Sequence, residues 1–279
     1  MIIIEHVDNT ILSNCNTNNH PIKETDDIDP TAYHHELSKT YLSKYADLIN
    51  YPCEYTYEFT KEEVLDLIQM CEISTQTQKQ PKLYQDDYDK IIKRFSDHFV
   101  EGHWFFRFDS CSPKDGSIEF PAMSSTDVIQ SIVTSIRAYK ALRKGENKLY
   151  FCRFDSSWDQ QKELRIFVKN NKVTCISPYI YYSTSFWSTL SNDELTDVAS
   201  KISNKVTELS AKFNVPDYVA DMYYQSDGQL KIIELNSFGY WLASGSALFH
   251  WLNDYDKLYG SDGNIYFRVL NVENVGNYL

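Results

Sequence analysis

The sequence predicts an α+β fold built from antiparallel hairpins and amphipathic helices. Two hairpins carry this prediction, one turning at Asn170-Asn171 and the other at Asp227-Gly228, each between two strand-like runs. Asn, Asp and Gly tolerate the backbone conformations that tight hairpin turns require. Because strands and helices occur in mixed order with antiparallel hairpins, the pattern favours α+β over a doubly wound parallel sheet.

The amino-terminal part of the chain alternates polar segments with short elements. Thr60 and Glu63 form a capping-box pattern, which predicts a helix that begins there and runs to about residue 71. The other elements predicted in this part are a loop at 8–32, a helix at 36–49, a strand at 52–59 and a helix at 85–99.

The rest of the chain gives clearer periodic signals. Apolar residues at helical spacing predict one amphipathic helix over 126–143, and Ser191 with Glu194 is a second capping box that opens a long helix. Further expected elements are a strand at 104–108, a turn at 112–116, a strand at 149–154, the hairpin strands at 163–169 and 172–177, and an apolar segment at 238–252.

The overall charge narrows the class of partner. The chain has 279 residues and a formal net charge of −12, which argues against a nucleic-acid backbone as the main partner. Nucleotides remain compatible with it, since their phosphates need only a local basic pocket. An acidic surface favours a basic protein partner.

The cysteines and the amino terminus indicate a cytoplasmic protein. The six cysteines form no C-x-x-C pair, and the seven histidines show no zinc spacing, so we expect free thiols in a reducing compartment. The apolar run Met1–Ile4 is too short for a signal peptide, and no run approaches the length of a membrane span.

The second hairpin brings three oxygen-bearing side chains together. If Asp227-Gly228 is a two-residue turn, Asp221 lies directly opposite Glu234, and Asn236 follows on the same face. Two opposed carboxylates repel each other, and their apolar strand neighbours suggest a half-buried position, where unpaired charge is costly. A hard cation such as Mg²⁺ would relieve both problems, since it binds one or two carboxylates together with phosphate oxygens.

Two simpler interpretations of this hairpin stay open. The face is solvated, or a carboxylate is paired with an Arg. If a metal does bind, its phosphate partner needs cations, for which the basic residues on predicted strands are candidates: Arg107, Arg153, Arg165 and Lys169. Arg gives bidentate contact with phosphate, whereas Lys gives a point charge. No P-loop, Rossmann, nucleophile-elbow or HExxH pattern occurs.

Three sequence blocks, in order, carry a resemblance to a known family. They are Arg107 to Gly116, Glu163 to Val173, and Asp221-Met222-Tyr223 followed by Ile233-Glu234-Leu235-Asn236-Ser237-Phe238-Gly239. Together they resemble the cell-division-cycle-protein-123 family, which carries a basic strand leading into Ser-x-Ser-Pro-Lys-Asp, a Glu-Phe-Arg-x-Phe-Val block, and an Asp followed by Asp-x-Asn-Pro-Phe-Gly. The matched region spans about residues 103–252.

This resemblance implies an ATP-grasp-like fold, with two lobes and antiparallel sheets enclosing a nucleotide cleft. It implies that Asp221, Glu234 and Asn236 hold Mg²⁺, and that basic positions face the phosphates of ATP: Arg107, Lys114, Arg153 and Arg165. The expected division is then a helical and loop region at 1–102, a first nucleotide-binding lobe at 103–155, a second lobe with the metal site at 156–252, and a tail at 253–279.

The family's role implies a partner, the gamma subunit of translation initiation factor 2, which these proteins bind to promote assembly of that factor. An alternative is an ATP-grasp enzyme, a ligase or kinase acting on a protein, and no reaction is assignable from the residues. The chain departs from the family pattern at Glu234, usually Asp, and at Ser237, usually Pro. Such a divergent copy would fit a host-directed mimic from an intracellular bacterium or a large virus, acting in the host cytoplasm.

Overall fold

The structure is a computed structural model that describes residues 1–16, 29–183, 185–242 and 244–271. The chain forms two compact units. The large unit combines Met1–Ile49 with Trp158–Leu279, and the small unit is Asn50–Ser157. The first 49 residues therefore pack with the carboxyl-terminal half, a grouping that differs from the four consecutive parts expected from the sequence. No helix in the described ranges is long and apolar enough to cross a membrane.

Nine strands and eight α-helices make up the described chain. The strands are β1 (Ile2–Val7), β2 (Tyr55–Glu58), β3 (Trp104–Arg107), β4 (Lys148–Arg153), β5 (Glu163–Lys169), β6 (Lys172–Pro178), β7 (Tyr218–Tyr224), β8 (Leu230–Ser237) and β9 (Ile265–Leu270). The helices are α1 (Pro30–Ser38), α2 (Leu42–Tyr45), α3 (Lys61–Thr77), α4 (Gln85–Ser96), α5 (Ser125–Thr134), α6 (Ile136–Arg143), α7 (Asn192–Ser210) and α8 (Tyr255–Leu258).

The small unit is a three-stranded antiparallel sheet in the order β2-β4-β3, with α3 to α6 contributing to its core. The capping box predicted at Thr60 and Glu63 is confirmed, with the Glu63 amide donating to Thr60 Oγ1 over 3.2 Å. The prediction of a single helix over 126–143 is wrong, because the helix is interrupted at Ser135. Its hydroxyl accepts a 3.0 Å hydrogen bond from the Ala138 amide and so begins a new helix.

The large unit is built on a six-stranded sheet in the order β1-β9-β6-β5-β7-β8. The pairs β6–β5, β5–β7 and β7–β8 are antiparallel, whereas β9 runs parallel to both β1 and β6. Both predicted hairpins are therefore confirmed, and so is the second capping box, at Ser191 and Glu194. The predicted α+β class, with sheets that are mostly antiparallel, is confirmed.

The expected tail at 253–279 is the clearest error among the elements. Residues 255–258 form α8, and β9 inserts between β1 and β6 with Phe267 and Val269 fully buried. Residues 272–279 lie outside the described residues. The error arises because β9 is stabilised by pairing with strands far away in sequence, and the local hydrophobic pattern does not predict such pairing.

The amino-terminal segment also differs from its prediction. Residues 9–14 of the expected loop at 8–32 form a 3₁₀ helix, and 17–28 lie outside the described residues. The helix expected over 36–49 is divided between α1, α2 and a 3₁₀ turn. Tyr45, at the end of α2, is fully buried, and its hydroxyl accepts a 3.1 Å hydrogen bond from the Leu235 amide. This contact satisfies a backbone donor on the terminal strand β8.

Candidate functional site

The hairpin of β7 and β8 places Asp221 directly opposite Glu234, as predicted. The turn itself is not the predicted two-residue turn. Gln225 donates its amide to the Gln229 carbonyl over 2.8 Å, which leaves a three-residue loop, and Gly228 has a φ of 80°. A bulge after Asp221, where Met222 pairs with Ile232, takes up one residue and brings the two carboxylates opposite each other.

The neighbouring strand β5 adds a cation to the same row. Arg165 lies opposite Asp221 in the β5–β7 pairing. Its Nε and Nη2 donate to the two carboxylate oxygens of Asp221, each over 2.8 Å, and its Nη1 donates to the Gly245 carbonyl over 3.0 Å. The side chain of Arg165 is 13% exposed and that of Asp221 is 2% exposed. This is a nearly buried bidentate ion pair.

Asn236 connects the two carboxylates. Its Nδ2 lies 3.2 Å from Asp221 Oδ2 and 3.3 Å from Glu234 Oε1, and it donates to both. We call Arg165, Asp221, Glu234 and Asn236 the polar row. Formally, one positive and two negative charges meet there beside a neutral amide, so these four residues sum to one negative charge. A row of this composition favours an additional cation.

Burial and charge act in opposite directions on the groups around the row. Burial alone lowers the pKa of the Arg165 guanidinium, but the Asp221 carboxylate more than compensates, so that pKa lies above its ordinary value. The ring of Tyr179 lies 5.0 Å from the guanidinium carbon of Arg165. Burial, followed by the charge of Asp221, raises the pKa of Tyr179 to about 12. Arg165 is therefore charged and Tyr179 neutral at physiological pH.

The donor set of the polar row suits Mg²⁺. Two carboxylates and an amide carbonyl are hard oxygen donors of the kind this ion prefers. No group of three or more His, Cys, Asp or Glu side chains in the described ranges is arranged to hold a metal. In the structure, Arg165 occupies both oxygens of Asp221, so one of the two simpler interpretations, a carboxylate paired with an Arg, is realised here.

Three other predicted basic positions belong to the small unit. Arg107 is 3% exposed on β3, where its Nε donates to the Phe108 carbonyl over 3.2 Å. Arg153 is exposed at the end of β4; its Nε donates to both carboxylate oxygens of Glu54, and its guanidinium carbon lies 4.4 Å from the Trp104 ring centroid. Lys114 is exposed in the turn after β3.

Sequence reasoning missed two features of the large unit. It placed Lys169 among the candidates for phosphate contact, whereas its Nζ pairs with Asp217 Oδ2 over 2.6 Å. It also overlooked Trp158, whose ring stacks on Tyr223 with centroids 3.9 Å apart and whose Nε1 donates to Glu163 over 2.6 Å. The sequence did contain one signal. Glu163 lies two residues before Arg165 on a predicted strand, so both side chains are expected on the same face of the sheet.

Comparison with known proteins agrees with these features. The model of the family described as D123 matches residues 141–277, a range that contains the whole polar row. The match covers just under half of the chain, and that part of the chain is similar to the D123 family. The family resemblance inferred from the three sequence blocks is thereby confirmed. None of the curated proteins matches the chain.

Solved structures support the same fold. C-terminally truncated Cdc123 from Schizosaccharomyces pombe is similar to this chain with a TM-score of 0.60 and 16% identity, covering 85% of this chain and 97% of that one. A longer Cdc123 structure from the same organism gives the same TM-score and identity, with 84% and 96% coverage. A RimK domain protein ATP-grasp from Sphaerobacter thermophilus is more distant, with a TM-score of 0.40, 11% identity, and 82% and 66% coverage. The fold is α+β and is shared with Cdc123.

Proposed function

We propose that this protein binds ATP with Mg²⁺ at the polar row and acts as an assembly factor for the gamma subunit of translation initiation factor 2. The observation that carries the nucleotide site is the arrangement of two carboxylates, an amide and a guanidinium across three adjacent strands. The similarity to the D123 family and the fold shared with Cdc123 support the role in assembly.

Three residues of the row would hold the metal: Asp221 and Glu234 through carboxylate oxygens, and Asn236 through its amide carbonyl. Bound Mg²⁺ supplies positive charge that neutralises the phosphate oxygens of the nucleotide. Asn236 now directs its amide nitrogen at both carboxylates, so it must turn its amide by half a rotation to present the oxygen.

Arg165 has two roles in this proposal. Without ligand it neutralises Asp221 through two hydrogen bonds. With Asp221 and Glu234 engaged by a metal, Asp221 would no longer need Arg165, and the guanidinium would be available to a phosphate, which it matches in bidentate geometry. Arg107, Lys114 and Arg153 lie in the small unit, and their contact with phosphate stays a prediction from the family resemblance. For Arg153 this requires exchange of its pairing with Glu54.

Thermal unfolding with ATP and Mg²⁺ tests the nucleotide site. A ligand at 100 times its dissociation constant adds about 2.7 kcal/mol to the free energy of unfolding, so the melting temperature should rise. The double variant Asp221→Asn, Glu234→Gln should lose the part of the shift that depends on Mg²⁺. The matched control is Asp254→Asn, which also removes an Arg-paired carboxylate of the large unit. An unchanged shift in the double variant would contradict the site.

A second experiment tests the partner. We expect the protein to capture the gamma subunit of translation initiation factor 2 from a eukaryotic lysate, in the presence of ATP and Mg²⁺, without a covalent change to that subunit. The net charge of −12 favours faster association at low salt with a basic surface. Consumption of ATP with a new adduct on another protein would instead support the ligase or kinase alternative. The proposed location is the cytoplasm, or the host cytoplasm for a mimic.

A further inference from the structure

A cavity in the large unit is distinct in its lining from the polar row. It is partly open to solvent, has a volume of about 190 Å³, and lies where α1, the end of β5, the start of β7 and the residues after β8 meet. A cavity of this volume holds a small ligand and is too small for a nucleotide.

Four charged side chains, two of each sign, line this cavity. Lys39 Nζ pairs with Glu36 Oε1 over 2.5 Å, and Lys169 Nζ pairs with Asp217 Oδ2 over 2.6 Å. The side chains are between 24% and 37% exposed, so they are partly desolvated yet reachable. A ligand with a single charge would be attracted by the two side chains of opposite charge and repelled by the two side chains of like charge.

The remaining wall is aromatic. The cavity is lined by Phe238, Trp241 and Tyr259. Lys169 Nζ lies 5.5 Å from the ring centroids of both Phe238 and Tyr259, which shows that these rings already accommodate an ammonium group at their faces. They provide a surface that takes either a second ammonium group or a small apolar side chain.

We propose that this cavity binds a small free α-amino acid, of the size of alanine, serine or valine. The ammonium and carboxylate groups of a zwitterion match both signs of the lining, so binding leaves no charge uncompensated. Glu36 and Asp217 receive the ammonium group, and Lys39 and Lys169 receive the carboxylate. The small side chain lies against the aromatic wall. This ligand is separate from the nucleotide proposed for the polar row.

The test is calorimetric titration and thermal unfolding of the full chain with alanine, serine and valine. We expect saturable binding and a higher melting temperature. The same amino acids with an acetylated nitrogen and an amidated carboxyl group keep the side chain and lose both charges, so they should not bind. Equal binding of the blocked compounds, or no saturable binding of any free amino acid, would overturn the proposal.

Two variants locate the site. Lys169→Met and Asp217→Asn should each weaken binding by roughly tenfold, the effect of losing one charge-assisted contact. The control is Lys201→Met, which breaks the 2.9 Å pair with Asp197 on α7, outside the cavity, and should bind like wild type. A cooperative urea unfolding transition reports whether each variant is folded. Wild-type affinity in both folded cavity variants would overturn the assignment.

Discussion

Two arginines of the large unit, one buried and one nearly buried, make almost the same contacts, yet their surroundings differ in charge. Arg165 grips Asp221 with two hydrogen bonds of 2.8 Å and donates to the Gly245 carbonyl. Arg268 grips Asp254 with two hydrogen bonds of 2.9 Å and donates to the Leu248 carbonyl. Each guanidinium also lies near an aromatic ring, at 5.0 Å for Arg165 and 4.2 Å for Arg268.

The difference lies in the second carboxylate. Beside Arg268, Glu5 accepts from the guanidinium over 2.9 Å and from Lys257 over 2.5 Å. This ion-pair cluster of Glu5, Asp254, Lys257 and Arg268 has two positive and two negative charges. In the polar row, one guanidinium meets two carboxylates and an amide. A balanced cluster stabilises a fold, whereas a row with one more negative than positive charge is suited to receive a cation.

The largest effect separating the two sites should come from Arg268→Met. Removing the guanidinium leaves Asp254 without its bidentate partner in a position where the carboxylate is 18% exposed. Breaking such a pair typically costs about 3–5 kcal/mol, which urea unfolding would measure. The control, Lys201→Met, breaks an exposed pair and should cost less than about 1 kcal/mol. A loss below that of the control would show that the cluster is not structural.

Asp221→Asn should have a smaller effect on stability and a larger one on ligand binding. Arg165 keeps a carboxylate on its row, since Glu234 also acts on its charge, so we expect a loss of about 1–3 kcal/mol in urea unfolding. The Mg²⁺-dependent nucleotide shift should disappear. Asp254→Asn should show the reverse pattern, with reduced stability and a retained shift. If both variants retain the shift, the comparison between the two sites fails.

The hairpin that carries Asp221 shows how far local sequence reaches. The alternation of apolar residues around Asp227-Gly228 predicted two paired strands and the facing of Asp221 and Glu234, and the structure confirms both. The turn prediction was wrong, because the loop has three residues and a bulge compensates for the shift. Burial of one face fixes which side chains point inward, and the turn adjusts to that constraint.

The partner of Asp221 was beyond local reasoning. The two hairpins were predicted separately, and nothing in their sequences places β5 rather than another strand beside β7. That neighbourhood, which brings Arg165 to Asp221, is a property of the sheet order. The same holds for β9, which is stabilised between β1 and β6 and was predicted as tail. The family blocks supplied Arg165 as a site residue, whereas its pairing required the tertiary structure.

Arg165→Met sharpens the comparison through its response to metal alone. Removal of the guanidinium leaves Asp221 and Glu234 opposed without their shared cation, so Mg²⁺ without nucleotide should raise the melting temperature of the variant more than that of wild type. ATP binding should weaken by roughly tenfold or more, the effect of losing a charge-assisted phosphate contact. Arg268→Met, measured the same way, should show a smaller added response to Mg²⁺, because Lys257 still pairs with Glu5 in that cluster. Equal Mg²⁺ responses in the two variants would make Arg165 purely structural.

The smallest expected effect concerns acid pH. Burial tends to raise the pKa of Asp254, but hydrogen bonds from Arg268 and its charge outweigh burial, so the pKa lies below the ordinary value of 3.8. A carboxyl group with a lowered folded-state pKa stabilises the fold above its unfolded pKa and loses that contribution as the pH falls through the folded value. Stability from this pair is therefore complete above about pH 4 and declines below it.

The difference in free energy of unfolding between wild type and Asp254→Asn should accordingly narrow as the pH falls below about 4. Urea unfolding at a series of pH values measures it, with Asp193→Asn as the control, because Asp193 is an exposed acid at the start of α7. A difference that stays constant down to the lowest pH at which the protein folds would mean that Arg268 does not stabilise the Asp254 carboxylate. The ion-pair cluster could then no longer be distinguished from the polar row as a site whose charges stabilise the fold.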